Sequence, residues 1–226
     1  MSEQTKSLTN IFPDILKLQN SIRAKYATEN KTAKKGQILF VGSSLMEIFP
    51  IEKMQQEKNL NLDKVIYNRG VRATTTADLL NHMDILIFDL EPNKIFINIG
   101  SNDIGFKVPE DVFLANYDKI LRQITTKLPD TVVYVMAYYP INTVDDFGEE
   151  KSVHDQLYEH RSNELLEAAN AKVKQLAIKN GYKFINVNAG LFDANNNLRK
   201  ELTFDGAHML PSGYEIVLTN LEKYLQ

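Results

Sequence analysis

The sequence predicts an α/β fold in which helices cover both faces of a parallel sheet. Three observations predict it: five short runs are rich in β-branched and aromatic residues, segments with helical spacing separate them, and the runs are almost continuously apolar. Alternating strands and helices are typical of a three-layer α/β/α sandwich with right-handed crossovers. We expect residues 1–226 to form a single domain.

The five predicted strands are bounded by polar or turn-forming residues. In chain order they are Gln37–Gly42, Lys64–Asn68, Lys94–Gly100, Thr131–Tyr139 and Lys183–Asn188. Strands without an exposed polar face are typical of a sheet that is buried on both sides, which favours the parallel arrangement.

Two predicted helices are defined by apolar spacing. Behind Pro109, residues at intervals of three and four form an apolar stripe: Phe113, Tyr117, Ile120, Leu121 and Ile124. Near the N-terminus, Ile11, Ile15, Leu18 and Ile22 have the same spacing, and we expect this segment to pack on the domain rather than on a membrane.

Two further helix starts are predicted from capping signals. Thr75 with Asp78 predicts a helix that begins near Thr76. Ser212 with Glu215, behind Pro211, predicts a helix that begins near Gly213. Residues 141–160 are polar and acidic and show neither helical nor strand periodicity, so we expect a loop over one end of the sheet.

Composition excludes several classes of protein. The chain has no cysteine, which removes disulfides, thiolate nucleophiles and cysteine-ligated metals. A net charge of -3 without a large basic cluster disfavours a nucleic-acid partner. No apolar run is long enough for a membrane helix and the N-terminus lacks a signal-peptide core, so we expect a cytoplasmic location.

Chemically informative residues follow the predicted strands. Ligands of open α/β sheets bind outside the carboxyl ends of the strands, where Ser44, Asn102 and the Asp205–His208 segment are expected. Each has an ordinary structural explanation, because Gly-Ser-Ser forms turns, Asn-Asp bonds nearby backbone and a lone histidine is often buried. Their combination is more informative than any one of them.

The combination contains the groups that acyl transfer through a serine requires. A serine hydroxyl needs a neutral imidazole to accept its proton, and that imidazole needs a carboxylate on its other nitrogen. Asp205 stands three residues before His208, within reach of its Nδ1 on a compact turn. The Ser44 N–H, a backbone N–H near Ala73 and the Asn102 side chain are candidate donors to an oxyanion.

Four segments together resemble the SGNH or GDSL hydrolases. They are "LFVGSSLM", "NRGVRATT", "NIGSND" and "DGAH", and they follow the order of the family's serine, glycine, asparagine and histidine blocks. The sequence is most similar to bacterial lysophospholipase-like members that resemble platelet-activating-factor acetylhydrolase α subunits. The resemblance implies a flavodoxin-like fold and an esterase without metal or other cofactor, with Ser44 as nucleophile, His208 as base and Asp205 as its partner.

The sequence departs from the family pattern at two positions. Ser43 replaces the aspartate that precedes the nucleophile, although that aspartate is not part of the triad. Ala73 replaces the oxyanion-hole glycine, while Gly70 matches the earlier glycine of the block. Alanine can donate its N–H if its φ is negative, whereas a positive φ would strain the site.

The expected substrate is a small acyl ester, and Arg72, Tyr139 and Asn142 are predicted to bind it. Homodimers occur among relatives of this family, but the sequence has no unambiguous interface stripe, so a homodimer is one of the oligomeric states left open.

Three other hypotheses remain open. One is a non-catalytic module that uses the same cleft to bind a small molecule. A nucleotide-binding domain is disfavoured because neither phosphate-loop motif is present. A metal hydrolase built from His154, His160, Asp145 and Asp146 is disfavoured because no helical histidine pair is present.

Overall fold

The computed structural model describes residues 13–148 and 159–226. A five-stranded sheet lies at its centre, with strand order β2-β1-β3-β4-β5 and parallel pairing throughout. The strands are β1 Ile38–Gly42, β2 Ile66–Asn68, β3 Lys94–Asn98, β4 Val132–Met136 and β5 Lys183–Ile185. The predicted fold class is confirmed, although each strand is shorter than its apolar run, because apolar residues beyond the paired region continue into the buried turns.

Helices lie on both faces of the sheet. They are α1 Pro13–Glu29, α2 Ser44–Glu47, α3 Ile51–Glu57, α4 Thr76–Asn81, α5 Met83–Leu86, α6 Ser101–Gly105, α7 Glu110–Lys127, α8 Asn163–Lys179 and α9 Pro211–Leu225. In the described part of the chain, no helix is long and apolar enough to cross a membrane.

The period of two along each strand divides the core into two clusters. In β1, Leu39 and Val41 belong to the cluster under α1, α4, α5, α7 and α8, whereas Ile38 and Phe40 belong to the cluster under α2, α3 and α9. All five residues of β1 and of β3 are buried. This burial explains why the strands lack an alternating polar face.

The helix starts that were predicted from capping signals differ in outcome. The Thr75 hydroxyl accepts a hydrogen bond from the Asp78 N–H at 3.3 Å, so the cap of α4 is confirmed. Helix α9 begins at Pro211, close to the predicted start near Gly213, but its N-cap is Leu210 and no side chain caps it, so the predicted Ser212 cap is absent. Proline fixes φ and needs no partner for an N–H, so it begins this helix without a capping box.

Helix α1 packs on the domain through a different face from the one predicted. Its buried residues are Gln19, Arg23 and Tyr26. Leu18 is exposed, Ile15 and Ile22 are only partly buried, and Ile11 lies outside the described residues. The polar face is buried because its side chains bond to groups beneath it, including an ion pair between Arg23 and Asp78 at 3.2 Å.

The predicted loop is described only in part. Residues 141–148 and 159–160 contain no helix or strand, whereas 149–158, with His154, lie outside the described residues. Helix α8 follows two residues after Arg161, with the Ser162 hydroxyl accepting from the Leu165 N–H.

Candidate active site

The predicted residues meet at the carboxyl edge of the sheet. Ser44 follows β1 as the first residue of α2, and Asn102 lies in α6 directly after β3. Ala73 lies between β2 and α4, while Asp205 and His208 precede α9. Because parallel strands all point toward this edge, residues distant in sequence become neighbours there.

Ser44, His208 and Asp205 form a continuous hydrogen-bonded chain. The distance from Ser44 Oγ to His208 Nε2 is 2.9 Å, and the distance from His208 Nδ1 to Asp205 Oδ2 is 2.6 Å. If Nδ1 carries the proton it donates to the carboxylate, and Nε2 is then left as an acceptor for the serine hydroxyl.

A compact turn fixes Asp205 relative to His208. The other carboxylate oxygen of Asp205 accepts the N–H groups of Ala207 and His208 at 2.9 and 2.7 Å. Thr203 closes the turn by donating its hydroxyl to the His208 carbonyl at 2.7 Å. The three-residue spacing therefore places one carboxylate oxygen on the backbone and leaves the other for the imidazole.

Asp205 is buried but remains the acidic member of the pair. Burial acts to raise its pKa, yet the hydrogen bond and charge of His208, together with two backbone N–H groups, hold the pKa of Asp205 below its ordinary value. The carboxylate is therefore ionised near neutral pH and favours the Nδ1–H tautomer of His208.

Two glycines allow the backbone around Ser44 to pack closely. A Cβ on Gly42 would lie 2.1 Å from the Asn98 carbonyl oxygen, and one on Gly70 would lie 2.2 Å from the Glu47 nitrogen. Any side chain at either position would displace the backbone of β3 or of α2. These glycines therefore set the position of the helix that begins with Ser44.

The candidate oxyanion donors include two free backbone N–H groups. Within residues 13–148 and 159–226, the N–H groups of Ser44 and Ala73 donate to no other group. Ala73 has a φ of 54°, which is the strained left-handed conformation that is unfavourable for alanine.

The Asn102 side chain is held in one orientation by two partners. Its amide nitrogen donates to the Thr74 carbonyl at 3.0 Å, and its amide oxygen accepts from Arg161 Nη2 at 2.8 Å. Since Arg161 can only donate, the amide oxygen must face it. The second hydrogen of the Asn102 amide remains for a ligand.

These residues line a cleft of about 450 Å³. Its described lining residues are Ile15, Ser44, Ile48, Arg72, Ala73, Asn102, Gly105, Phe106, Arg161, Phe204, Asp205 and His208. Phe204 stacks on the imidazole of His208, with ring centroids 5.8 Å apart. The walls are largely apolar, and the polar groups converge on Ser44.

Two of the three residues predicted to bind substrate do not line this cleft. Tyr139 is 2% exposed within the core under α9, and Asn142 is fully buried. Asn142 bonds the Leu198 carbonyl and the backbone of residues 144 and 145, so it shapes its own loop and connects it to the segment that contains Leu198. We correct both assignments, because both side chains are buried and neither lines the cleft.

Arg72 does line the cleft, but its guanidinium is already paired. It binds Glu47 through Nε at 2.9 Å and through Nη2, and its own N–H donates to Glu47 at 2.6 Å. The hydrogen bond from Arg72 to Glu47 raises the pKa of Arg72, so the pair is a charged clamp between α2 and the loop before α4.

Several lining residues were missed by the sequence analysis. Phe204 directly precedes Asp205 and could have been found from that adjacency. Arg161 lies 59 residues beyond Asn102, and Ile15 precedes every motif, so no local signal connects either one to the site. Only the folded chain brings them to the cleft.

No metal-binding group of three or more histidine or acidic residues occurs among the described residues. The metal-site hypothesis included His154, which is not among them. The groups that converge on Ser44 are a hydroxyl, an imidazole, a carboxylate and N–H donors, which suit acyl transfer.

Comparison with known proteins identifies the family of this chain. The model of the GDSL-like lipase/acylhydrolase family matches residues 53–216. A Streptococcus pneumoniae structure described as a platelet activating factor is 31% identical, with a TM-score of 0.81 and coverage of 94% of each chain. No curated protein sequence is significantly similar to this chain.

More distant structures share the fold. An acylhydrolase structure from Bacteroides fragilis is 20% identical, with a TM-score of 0.70 and coverage of 89% of this chain and 94% of its own. An acetylxylan esterase from Geobacillus stearothermophilus is 16% identical, with a TM-score of 0.61 and coverage of 86% and 96%.

The sheet topology and the matched family define a hydrolase of carboxylic esters with an α/β fold. The chain belongs to the GDSL-like lipase/acylhydrolase family, as the resemblance predicted. The matched range begins at residue 53, so it includes neither Ser44 nor helix α1.

Proposed function

We propose that this protein is a serine esterase that cleaves small acyl esters through an acyl-enzyme intermediate. The observation that supports it most is the chain from Ser44 Oγ to His208 Nε2 at 2.9 Å and from His208 Nδ1 to Asp205 at 2.6 Å. A serine hydroxyl in this arrangement loses its proton as it attacks a carbonyl.

In the acylation step, Ser44 Oγ forms a bond to the ester carbonyl carbon, and its proton moves to His208 Nε2. Asp205 stabilises the resulting imidazolium through the Nδ1 hydrogen bond. The carbonyl oxygen becomes an oxyanion that accepts from the Ser44 and Ala73 N–H groups and the Asn102 amide. The bond to the leaving oxygen then breaks, and His208 returns the proton to the alcohol.

In the deacylation step, water replaces the alcohol. Its oxygen bonds to the acyl carbon while His208 Nε2 accepts a proton, and the same donors hold the second oxyanion. The bond between the acyl carbon and Ser44 Oγ breaks, and the proton returns from His208 to Oγ. The carboxylic acid leaves and the enzyme is restored.

The cleft supports a short acyl chain. Ile15, Ile48, Phe106 and Phe204 offer apolar contact, while the volume of about 450 Å³ also has to hold part of the leaving alcohol. Arg72 contributes to the wall beside the oxyanion donors, with its charge already balanced by Glu47.

The test is hydrolysis of p-nitrophenyl esters from acetate to decanoate by wild type, Ser44→Ala and Ser43→Ala. We expect turnover to be lost in Ser44→Ala and kept in Ser43→Ala, a matched control that removes the neighbouring hydroxyl. Circular dichroism establishes that both variants are folded. The highest kcat/KM is expected with the short esters.

Two results would contradict the proposal. Undiminished hydrolysis by Ser44→Ala would remove Ser44 as nucleophile. Absence of both hydrolysis and fluorophosphonate labelling in wild type would favour a binding module on the same fold. A single domain over residues 1–226, a homodimer, a cytoplasmic location and the absence of nucleic-acid binding remain predictions.

A further inference from the structure

A side chain of helix α1 forms a hydrogen bond with the peptide unit between Arg72 and Ala73. Gln19, which is fully buried on this helix, donates its side-chain N–H to the Arg72 carbonyl at 2.8 Å. The N–H of that same peptide unit belongs to Ala73, which lines the cleft. No described peptide bond is cis, so this N–H points away from the carbonyl and from Gln19.

We propose that Gln19 is a positioning residue for the oxyanion hole, acting through the Arg72–Ala73 peptide. By fixing the carbonyl toward α1, its hydrogen bond directs the Ala73 N–H toward Ser44. This inference rests on the proposed esterase function, and it assigns a role to a helix that lies outside the residues matched by the family model.

The strained backbone at Ala73 makes such a support necessary. A φ of 54° is unfavourable for alanine, and rotation of the peptide unit would relieve it. The neighbouring groups are fixed by other residues: the Arg72 N–H donates to Glu47 at 2.6 Å, and the Thr74 carbonyl accepts from Asn102 at 3.0 Å. Gln19 fixes the Arg72 carbonyl, which belongs to the same peptide unit as the Ala73 N–H.

The same hydrogen bond strengthens the proposed donor. A donor on a peptide carbonyl polarises the whole peptide group, which makes its N–H a better hydrogen-bond donor. The effect is larger where water is excluded, and Gln19 is 0% exposed. Loss of Gln19 therefore misdirects the Ala73 N–H and weakens it as a donor.

Tyr26 provides a matched control on the same helix. Its hydroxyl donates to the Gly70 carbonyl at 2.8 Å, so it also ties α1 to the backbone of this loop. The N–H of that peptide unit belongs to Val71, which donates to the Gly42 carbonyl at 3.0 Å instead of facing the cleft. Tyr26→Phe removes one such bond without touching a proposed oxyanion donor.

The experiment compares Gln19→Met with Tyr26→Phe using the best p-nitrophenyl ester. We expect kcat to fall about tenfold in Gln19→Met with KM within about twofold, and inhibition by a trifluoromethyl ketone to weaken in parallel, since its adduct also carries an oxyanion. Tyr26→Phe keeps kcat within about twofold, while thermal unfolding shows comparable destabilisation of both variants.

A second variant keeps the inference testable if Gln19→Met does not fold. Gln19→Glu donates only when its carboxyl is protonated, so its kcat relative to wild type should rise as pH falls. A constant ratio across pH would contradict the inference, as would equal kcat in wild type and Gln19→Met, or equal losses in Gln19→Met and Tyr26→Phe. Absence of Ser44-dependent hydrolysis in wild type would overturn the proposed function itself, and this inference with it.

Discussion

Ala73 has a backbone conformation that glycine adopts more easily. Its φ of 54° lies in the left-handed region, and the family pattern has glycine at the corresponding position. The left-handed conformation costs an L-residue roughly 1–2 kcal/mol, while glycine costs about 0.5–1 kcal/mol more in chain entropy on folding. The difference between these two free-energy costs slightly favours glycine at this position.

We therefore predict that Ala73→Gly raises the free energy of unfolding by about 0.5 kcal/mol without loss of kcat. Urea denaturation and ester hydrolysis check the two parts. Ala168→Gly, at an exposed position in α8, is the control and should destabilise the protein by about 0.5–1 kcal/mol. Equal destabilisation by both changes would show that Ala73 is not strained.

Asn102 and Asn142 are both buried asparagines that bond backbone carbonyls, but only Asn102 reaches the cleft. We predict that Asn102→Ala lowers kcat on the order of 100-fold to 1000-fold, because an oxyanion donor is lost. Asn142→Ala should lower the melting temperature and leave kcat nearly unchanged. Steady-state kinetics on both variants would show whether our correction of Asn142 holds.

At the scale of elements, one buried carboxylate connects two segments of the site. Asp103, in α6, accepts the Thr76 N–H at 2.9 Å and also the Thr76 hydroxyl, so it fixes the start of α4 against α6. Burial raises the pKa of Asp103 to about 7, although the hydrogen bonds from Thr76 act in the opposite direction.

A raised pKa in the folded state makes stability depend on pH. Below the ordinary pKa near 4 the folded and unfolded states are both protonated, whereas between about pH 4 and pH 7 only the folded state keeps the proton. The contribution of Asp103 to stability is therefore present at low pH and is lost as pH rises through 7.

We predict that Asp103→Asn gains stability relative to wild type as pH rises from about 4.5 to about 7.5, by a few kcal/mol over the range. Urea denaturation of both proteins at a series of pH values measures the difference. Comparing the two proteins cancels the contributions of all other titrating groups. A difference that stays constant with pH would mean that Asp103 is ionised throughout.

At the scale of the whole molecule, the sheet separates two cores that both support the site. On one side, Phe96 stacks between Phe40 and Tyr134, with ring centroids 4.7 and 5.1 Å away. Helix α2, which begins with Ser44, packs on this cluster, and helix α1, with Gln19, packs on the other. The site therefore depends on both faces of the sheet.

We predict that Phe96→Ala destabilises the protein by about 3–5 kcal/mol, because it leaves a cavity where two aromatic rings lose their partner. Val132→Ala, on an exposed position of β4, should cost less than about 1 kcal/mol. Denaturant unfolding followed by circular dichroism and by hydrolysis of an ester should give coincident transitions. Loss of activity before loss of structure would show that the site is disrupted before the cores unfold.

The fold class and the identity of the central groups could be predicted from the order of residues along the chain. Near-continuous apolar runs separated by helical spacing specify a parallel sheet, because only burial on both faces allows such strands. The contact between Asp205 and His208 could also be predicted, because a separation of three residues on a turn lets the carboxylate reach the imidazole. Ser44 and Asn102 could be placed at the same edge because parallel strands share one carboxyl end.

Contacts that depend on long-range packing could be seen only in the folded structure. It showed that Tyr139 and Asn142 are buried, because the direction of the chain after β4 is set by the helices around it. It also brought Arg161 to Asn102 and Gln19 to the Arg72 carbonyl, across 59 and 53 residues. Such pairs have no local signal, since hydrogen bonds between distant residues are fixed by the packing of whole elements. The positive φ of Ala73 is likewise a tertiary feature, because hydrogen bonds from distant residues fix the backbone of Arg72 and Thr74 on either side of it.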